Sequence, residues 1–230
     1  MYSREKAVRW IENEEEMGMI IDVKNISLKI KDNKILDSVN LQCEEGKIYG
    51  IIGRNGSGKT MLMKCICGFV HPTQGEIFAL GQRIGKDIDF IPEAGIIIET
   101  PGFIPYYSGI KNLQLLASIQ NKIKTPEIKK IMKTVGLNPD MKRIVKKYSL
   151  GMRQRLGLAQ AIMENPEILI LDEPFNGLDK EGVTDMRKYL LELRAEGKTI
   201  LLSSHSSEDI ELLCDEVYEM EHGRLAKDFK

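Results

Sequence analysis

Residues Gly53 to Thr60 read GRNGSGKT, two glycines separated by four residues and followed directly by Lys59 and Thr60. Each residue type suits the capture of a phosphate chain. The glycines let successive backbone N–H groups of Gly53, Arg54, Asn55, Gly56, Ser57 and Gly58 turn into one concavity. Lys59 supplies positive charge to β and γ phosphates, and the Thr60 hydroxyl can ligate Mg2+. A helix beginning at this point adds the positive end of its dipole. A second run, ILILDEP from Ile168 to Pro174, is an apolar strand that ends in two acids. Open α/β sheets bind ligands at the carboxyl ends of their strands. Asp172 can therefore hold hydrated Mg2+, and Glu173 can polarise a water that attacks the γ phosphate. By itself such a strand also reads as a capped end; its pairing with the loop at Lys59 favours the catalytic reading.

These groups must be presented by an alternating framework. From Met19 onward short β-type runs appear, IIDVKNISLKI, KILDSVNLQC and KIYGII, separated by turn residues at Lys31 to Asn33 and Glu44 to Gly46. The pattern predicts two antiparallel strands and then a buried one that feeds the glycine loop, with a helix from Gly58 to about Gly68. The polar, Lys-rich stretch from about Gly109 to Val145 carries helical periodicity and predicts two or three amphipathic helices. A helix over Met152 to Met163, the acidic strand, a helix from Glu181 to Ala195, the strand KTILLS, a short helix near Ser206 to Leu213 and a closing hairpin complete an α/β order with a mostly parallel sheet. Residues 1–18 are charged and weakly patterned and are expected to be an extension; 19–230 form one domain with a helical subdomain inserted at about 103–150.

A third motif narrows the choice among nucleotide hydrolases. YSLGMRQRLGLAQAI, Tyr148 to Ile162, lies shortly before the acidic strand, and with it the sequence resembles the ABC ATPase family over about Met19 to Lys230. The resemblance implies a P-loop ATPase core with a mostly parallel sheet, an N-terminal antiparallel β subdomain and a small helical subdomain. It also implies that Ser149 and the backbone of Gly151 contact the γ phosphate of ATP held by an opposing subunit, in a homodimer or heterodimer of ATPase subunits. NGLD, ending at Asp179, matches the family's D-loop, and His205, ending SSH, matches its switch histidine, which contacts the γ phosphate and orients the water. Glu99 stands at the Q-loop position near Mg2+, Ile30 at the adenine-stacking position, and Met61 follows Thr60 within the nucleotide site.

Several of these positions depart from the family pattern. Leu150 stands for a glycine and Met152 for the glutamine of the signature; Glu99 replaces a glutamine, Ile30 an aromatic, and Met61 a second hydroxyl residue. A carboxylate at 99 adds negative charge beside phosphates, and an aliphatic at 30 gives less base discrimination. A modest ATP affinity is expected. IETPGF together with SLGMRQR is similar to the subfamily that exports drugs and antimicrobial peptides, including bacitracin-type and lantibiotic-immunity transporters. That resemblance implies a separate membrane-spanning permease subunit, whose cytoplasmic helix sits in a groove beside the helical lobe.

Bulk properties agree with such a role. The 230 residues allow one well-filled core, and 33 Lys plus Arg against 34 Asp plus Glu give a net charge of −1, so no nucleic-acid partner is expected. No apolar run approaches the ~20 residues of a membrane span. Glu12 and Glu14 to Glu16 occupy the place of a cationic and apolar leader, so a cytoplasmic location is expected, peripheral to the membrane's inner face through the partner. Cys43, Cys65, Cys67 and Cys214 lack metal-site spacing and read as small core residues. The alternative reading is a soluble ABC ATPase without a transporter.

Overall fold

The computed structural model describes residues 18–228, so the expected N-terminal extension lies outside the described residues except for Gly18. The chain opens with a long hairpin of β1 (Met19–Ile30) and β2 (Asn33–Glu44), reversed at Lys31, whose φ is 54°. β3 (Ile48–Ile52) then crosses into a second sheet, and the glycine loop connects it to α1 (Lys59–Ile66). β4 (Gln74–Ala79) and β5 (Gln82–Arg83) return to the first sheet, giving the antiparallel order β2-β1-β4-β5. This second hairpin is an addition to the two strands read from the sequence.

β6 (Ala94–Ile97) leads into the helical stretch: α2 (Gly109–Gln120), α3 (Thr125–Thr134) and a 3₁₀ turn at Val145–Lys147. α4 (Leu150–Ile162), β7 (Ile168–Asp172), α5 (Lys180–Ala195), β8 (Thr199–Ser203), α6 (Ser207–Leu213) and the hairpin β9 (Glu216–Glu221) with β10 (Arg224–Asp228) complete the chain. The second sheet runs β10-β9-β3-β8-β7-β6, parallel except for β10.

The period-two alternation of strand side chains divides the core in two. Tyr49 and Ile51 of β3, Ile168 and Ile170 of β7 and Leu201 of β8 face α1 and the antiparallel sheet. Ile48, Leu169, Leu171, Ile200 and Leu202 face the other way, toward α4 and α5. The helical lobe shares that second core: Leu113, Ile128, Met132 and Tyr148 pack with Leu156 of α4, and the Gly109 N–H donates to the Tyr148 hydroxyl at 3.2 Å. Cys43, Cys65 and Cys67 are buried and Cys214 is half-buried. Burial pushes the Cys65 and Cys67 thiols up to about 12. No helix among the described residues is long and apolar enough to cross a membrane.

Register decides where the chemistry sits. Ile51 of β3 pairs with Ser203 of β8, and Ser203 pairs with Asp172 of β7. The strand ends that precede the glycine loop, Glu173 and His205 are thus aligned side by side on one edge of the parallel sheet.

Candidate functional site

The glycine loop leaves β3 through backbone conformations that L side chains rarely adopt. Gly53 has φ 138°, and a Cβ there would lie 2.3 Å from the Met220 carbonyl oxygen. Only glycine allows the loop to lie that close to β9. α1 begins at once, and unlike α2, α4, α5 and α6, whose caps Ser108, Ser149, Asp179 and Ser206 accept from first-turn N–H groups, it has no side-chain cap. Its first-turn donors are left to an anion. Lys59 is buried and donates to the carbonyls of Gly53 at 2.6 Å and Arg54 at 3.2 Å, so its ammonium lies inside the loop. Ser57 Oγ is buried with no hydrogen-bond partner among the described residues.

Thr60 ties this loop to the acidic strand: its hydroxyl donates to Asp172 Oδ2 at 2.7 Å. The other Asp172 oxygen accepts from the Ser203 hydroxyl at 2.6 Å, and the Ser203 oxygen in turn accepts the Glu173 N–H at 2.9 Å. Glu173 takes a left-handed backbone, φ 50°, that lifts its side chain off the strand line. Its Oε1 lies 2.9 Å from His205 Nε2. Burial pushes the Glu173 carboxyl above the ordinary carboxylate range, against the pull of His205 and Lys59 and with help from the Asp172 charge. Lys59, Thr60, Asp172, Glu173 and His205, spread over most of the sequence, therefore meet at one sheet edge.

Ser149, Gly151 and Asp179 form a second group. The Ser149 hydroxyl accepts the Met152 N–H at 3.2 Å as the cap of α4, and both Ser149 and Leu150 are exposed. A Cβ on Gly151 would stand 2.4 Å from the Gly177 carbonyl, so the start of α4 lies flat against the Asn176–Asp179 loop. Asp179 caps α5 through the Gly182 N–H at 3.2 Å and receives Arg155 at 2.6 Å, which holds its carboxyl below the usual range. Arg155 also donates to the Val135 carbonyl of the helical lobe at 3.0 Å. The two groups are joined by Gln154, buried, which donates to the Pro174 carbonyl at 2.9 Å and the Glu173 carbonyl at 3.4 Å.

Three residues read from the sequence stand apart from these contacts. Glu99 has φ 59° and is ion-paired with Lys64 at 2.6 Å, one helical turn beyond Thr60. The pairing offsets the extra negative charge that this carboxylate brings. Ile30, 46% exposed, ends β1 and continues into the strand whose Leu36 packs against Gly58. Met61 packs half-buried against the α1 side of the core.

Sequence reasoning assigned nothing to Ser203 and Gln154. The signal for Ser203 was a hydroxyl at the end of an otherwise apolar strand; its two partners become visible only with the β7–β8 register.

The sequence model of the ABC transporter family matches residues 36–176. An uncharacterised ABC transporter ATP-binding protein, YybJ of Bacillus subtilis (strain 168), is 44% identical over 206 residues, covering 90% of this chain and 94% of its own. The bacitracin transport ATP-binding protein BcrA of Enterococcus faecalis is 39% identical over 214 residues, 92% of this chain and 70% of its own. A solved structure described as an ATP-binding subunit of an ABC transporter superposes with a TM-score of 0.81 at 27% identity, covering 91% of this chain and 89% of that one. With the glycine loop, the acidic strand and the capped α4 in the places described, the chain belongs to the ABC transporter family, as its ATP-binding, ATP-hydrolysing subunit.

Proposed function

We propose that the chain hydrolyses Mg2+-bound ATP at the edge formed by Lys59, Thr60, Asp172, Glu173 and His205, and that hydrolysis drives export through a separate membrane subunit. One observation carries the site reading: the hydroxyl, carboxylate, base and imidazole occur in contact, at 2.7 Å for Thr60 with Asp172 and 2.9 Å for His205 with Glu173. The residues fit a metal-bound triphosphate. Thr60 and Asp172 offer hard oxygen donors, which suit Mg2+ completed by phosphate oxygens and water. The cradle at Gly53 excludes any side chain, and Ser57 Oγ is a polar atom without a partner among the described residues. Mg2+, when bound, neutralises charge on the β and γ phosphates.

Lys59 exchanges its loop carbonyls for phosphate oxygens, while the uncapped N–H groups of α1 hold the remaining charge. Glu173 accepts the proton of the attacking water, and its raised proton affinity brings it nearer the working pH, as general-base efficiency requires. His205 holds the γ phosphate and the water in line. Ser149 and Gly151 of a second subunit close the site from the opposite face, and Asp179 lies beside that contact. The second subunit is a copy of this chain or a related one. Ile30 and Met61 border the base and the loop.

A groove of about 700 Å³ between the core and α2 takes a cytoplasmic helix of the permease. That docking places the chain on the inner face of the membrane. The likeness to a protein named for bacitracin transport supports a drug, antibiotic or peptide as cargo. The test is Glu173→Gln, because an amide cannot take the proton: ATP binding and ATP-dependent dimerisation persist while phosphate release stops. Full turnover by that variant removes Glu173 as the base, and normal ATP binding by Lys59→Ala removes the loop.

A further inference from the structure

The groove carries one group that the ATPase site does not use. Glu164 lies just past the C-terminal end of α4 and lines the cavity. Its Oε1 is buried and has no hydrogen-bond partner among the described residues. Burial pushes the carboxyl above its usual value, Lys122 draws it down and Glu93 pushes it further up. Lys122 is already engaged, because its ammonium donates to both Glu93 oxygens at 3.1 Å. Two carboxylates therefore share one ammonium, and the groove's ionised lining is short of one positive charge. Its other walls mix polar Thr100, Gln120 and Gln160 with apolar side chains, among which Ile119 is 78% exposed and Phe69 53% exposed.

A buried carboxylate oxygen without a donor is costly, and a charged donor satisfies it better than a neutral one. Exposed aliphatic and aromatic side chains around it call for an apolar face on the same occupant. α4 is 13 residues long, ~20 Å, so Ser149 and Glu164 lie at its two ends. We propose that the docking segment of the membrane subunit is an amphipathic helix bearing a lysine or arginine, and that Glu164 accepts this cation and so sets which membrane subunit the ATPase pairs with. The proposal rests on the transporter reading and adds the charge of the partner. It also gives α4 two working ends, one at the triphosphate and one at the membrane subunit.

The assay uses the complex of the full chain with its membrane subunit in vesicles, beside the isolated chain, for Glu164→Gln, Glu164→Lys and the exposed control Glu211→Lys. In the isolated chain all three hydrolyse ATP within about twofold of wild type. Glu164→Gln melts at a higher temperature than wild type, because the burial penalty on the charge is gone. In the complex, Glu164→Gln weakens subunit retention several-fold, Glu164→Lys at least tenfold, and Glu211→Lys not at all. Opposite signs in stability and assembly separate partner recognition from a structural role, which would lower both. Cross-linking from Ile119→Cys identifies the docked segment, and Lys or Arg→Glu within it restores retention with Glu164→Lys. Wild-type retention by Glu164→Lys, or a cross-linked segment without Lys or Arg, overturns the proposal. If the wild-type chain itself assembles with no membrane subunit, the transporter reading fails instead.

Discussion

Ser203→Ala removes a single oxygen from the site, and the geometry sets the size of the effect. Ser203 is fully buried; its hydroxyl donates to Asp172 Oδ1 at 2.6 Å and accepts the Glu173 N–H at 2.9 Å. Alanine leaves a carboxylate oxygen and a backbone N–H without those partners. A hydrogen bond to a charged group contributes about 1.5–3 kcal/mol, and an orphaned buried donor costs about 1–3 kcal/mol. Water reaching the sheet edge recovers part of this, so a net loss of roughly 3 kcal/mol is expected. For a chain of this size that lowers the melting temperature by about 6–12 °C.

The catalytic effect is of a different kind. Ser203 pins the Asp172 carboxylate so that Oδ2 faces Thr60, and it holds the backbone of Glu173 in its left-handed conformation. Release of both displaces Glu173, the proposed base, and misplacement of order 1 Å costs up to about 100-fold. In the proposed site ATP is gripped mainly by the glycine loop and α1, which Ser203 does not touch. The expected result is a kcat lowered ~10–100-fold with KM for ATP within about threefold. Ser203→Thr restores the hydroxyl and most of kcat, although its extra methyl costs about 1–3 kcal/mol of packing. Steady-state ATPase kinetics and thermal melts on the purified chain decide the matter. A Ser203→Ala protein with wild-type kcat refutes the positioning argument, and an unchanged melting temperature refutes the hydrogen-bond accounting.

Three further outcomes are expected. Glu173→Gln stabilises the fold while it stops turnover: burial raises the folded carboxyl's proton affinity, so the ionised form costs stability at neutral pH and costs none below the unfolded carboxylate range of about 4. Melts across pH should show the variant above wild type near pH 7, with the gap closing on acidification as the native carboxyl protonates. Gly151→Ala forces the start of α4 away from the Gly177 carbonyl, 2.4 Å from the new Cβ. It should abolish ATP-dependent dimerisation in size-exclusion chromatography while nucleotide binding by one subunit persists. Arg155→Met breaks the link from α4 to Val135 and Asp179. It should lower the melting temperature by a few degrees and make the 176–179 loop more open to limited proteolysis.

The parts of this protein that could be read from sequence are those whose chemistry is local. GRNGSGKT specifies its own backbone, because the glycines permit positive φ and the helix after them is contiguous. ILILDEP carries both acids on one strand end, and the Ser149 and Asp179 caps lie within three residues of the N–H groups they accept. Apart from the β4–β5 hairpin, most of the strand and helix order came from periods of two and 3.6 residues, and the α/β class came from that order. What only the tertiary structure decided are pairings across long separations. The contact of Thr60 with Asp172 spans 112 residues and that of Ser203 with Asp172 spans 31. Both depend on β3, β8 and β7 lying side by side in one register. The ion pair of Glu99 with Lys64, the fit of Gly151 against Gly177 and the unpartnered oxygen of Glu164 have the same origin. Each arises where two elements distant in sequence pack together, and the periodicity of a single element constrains which face it buries but not which atoms it meets there.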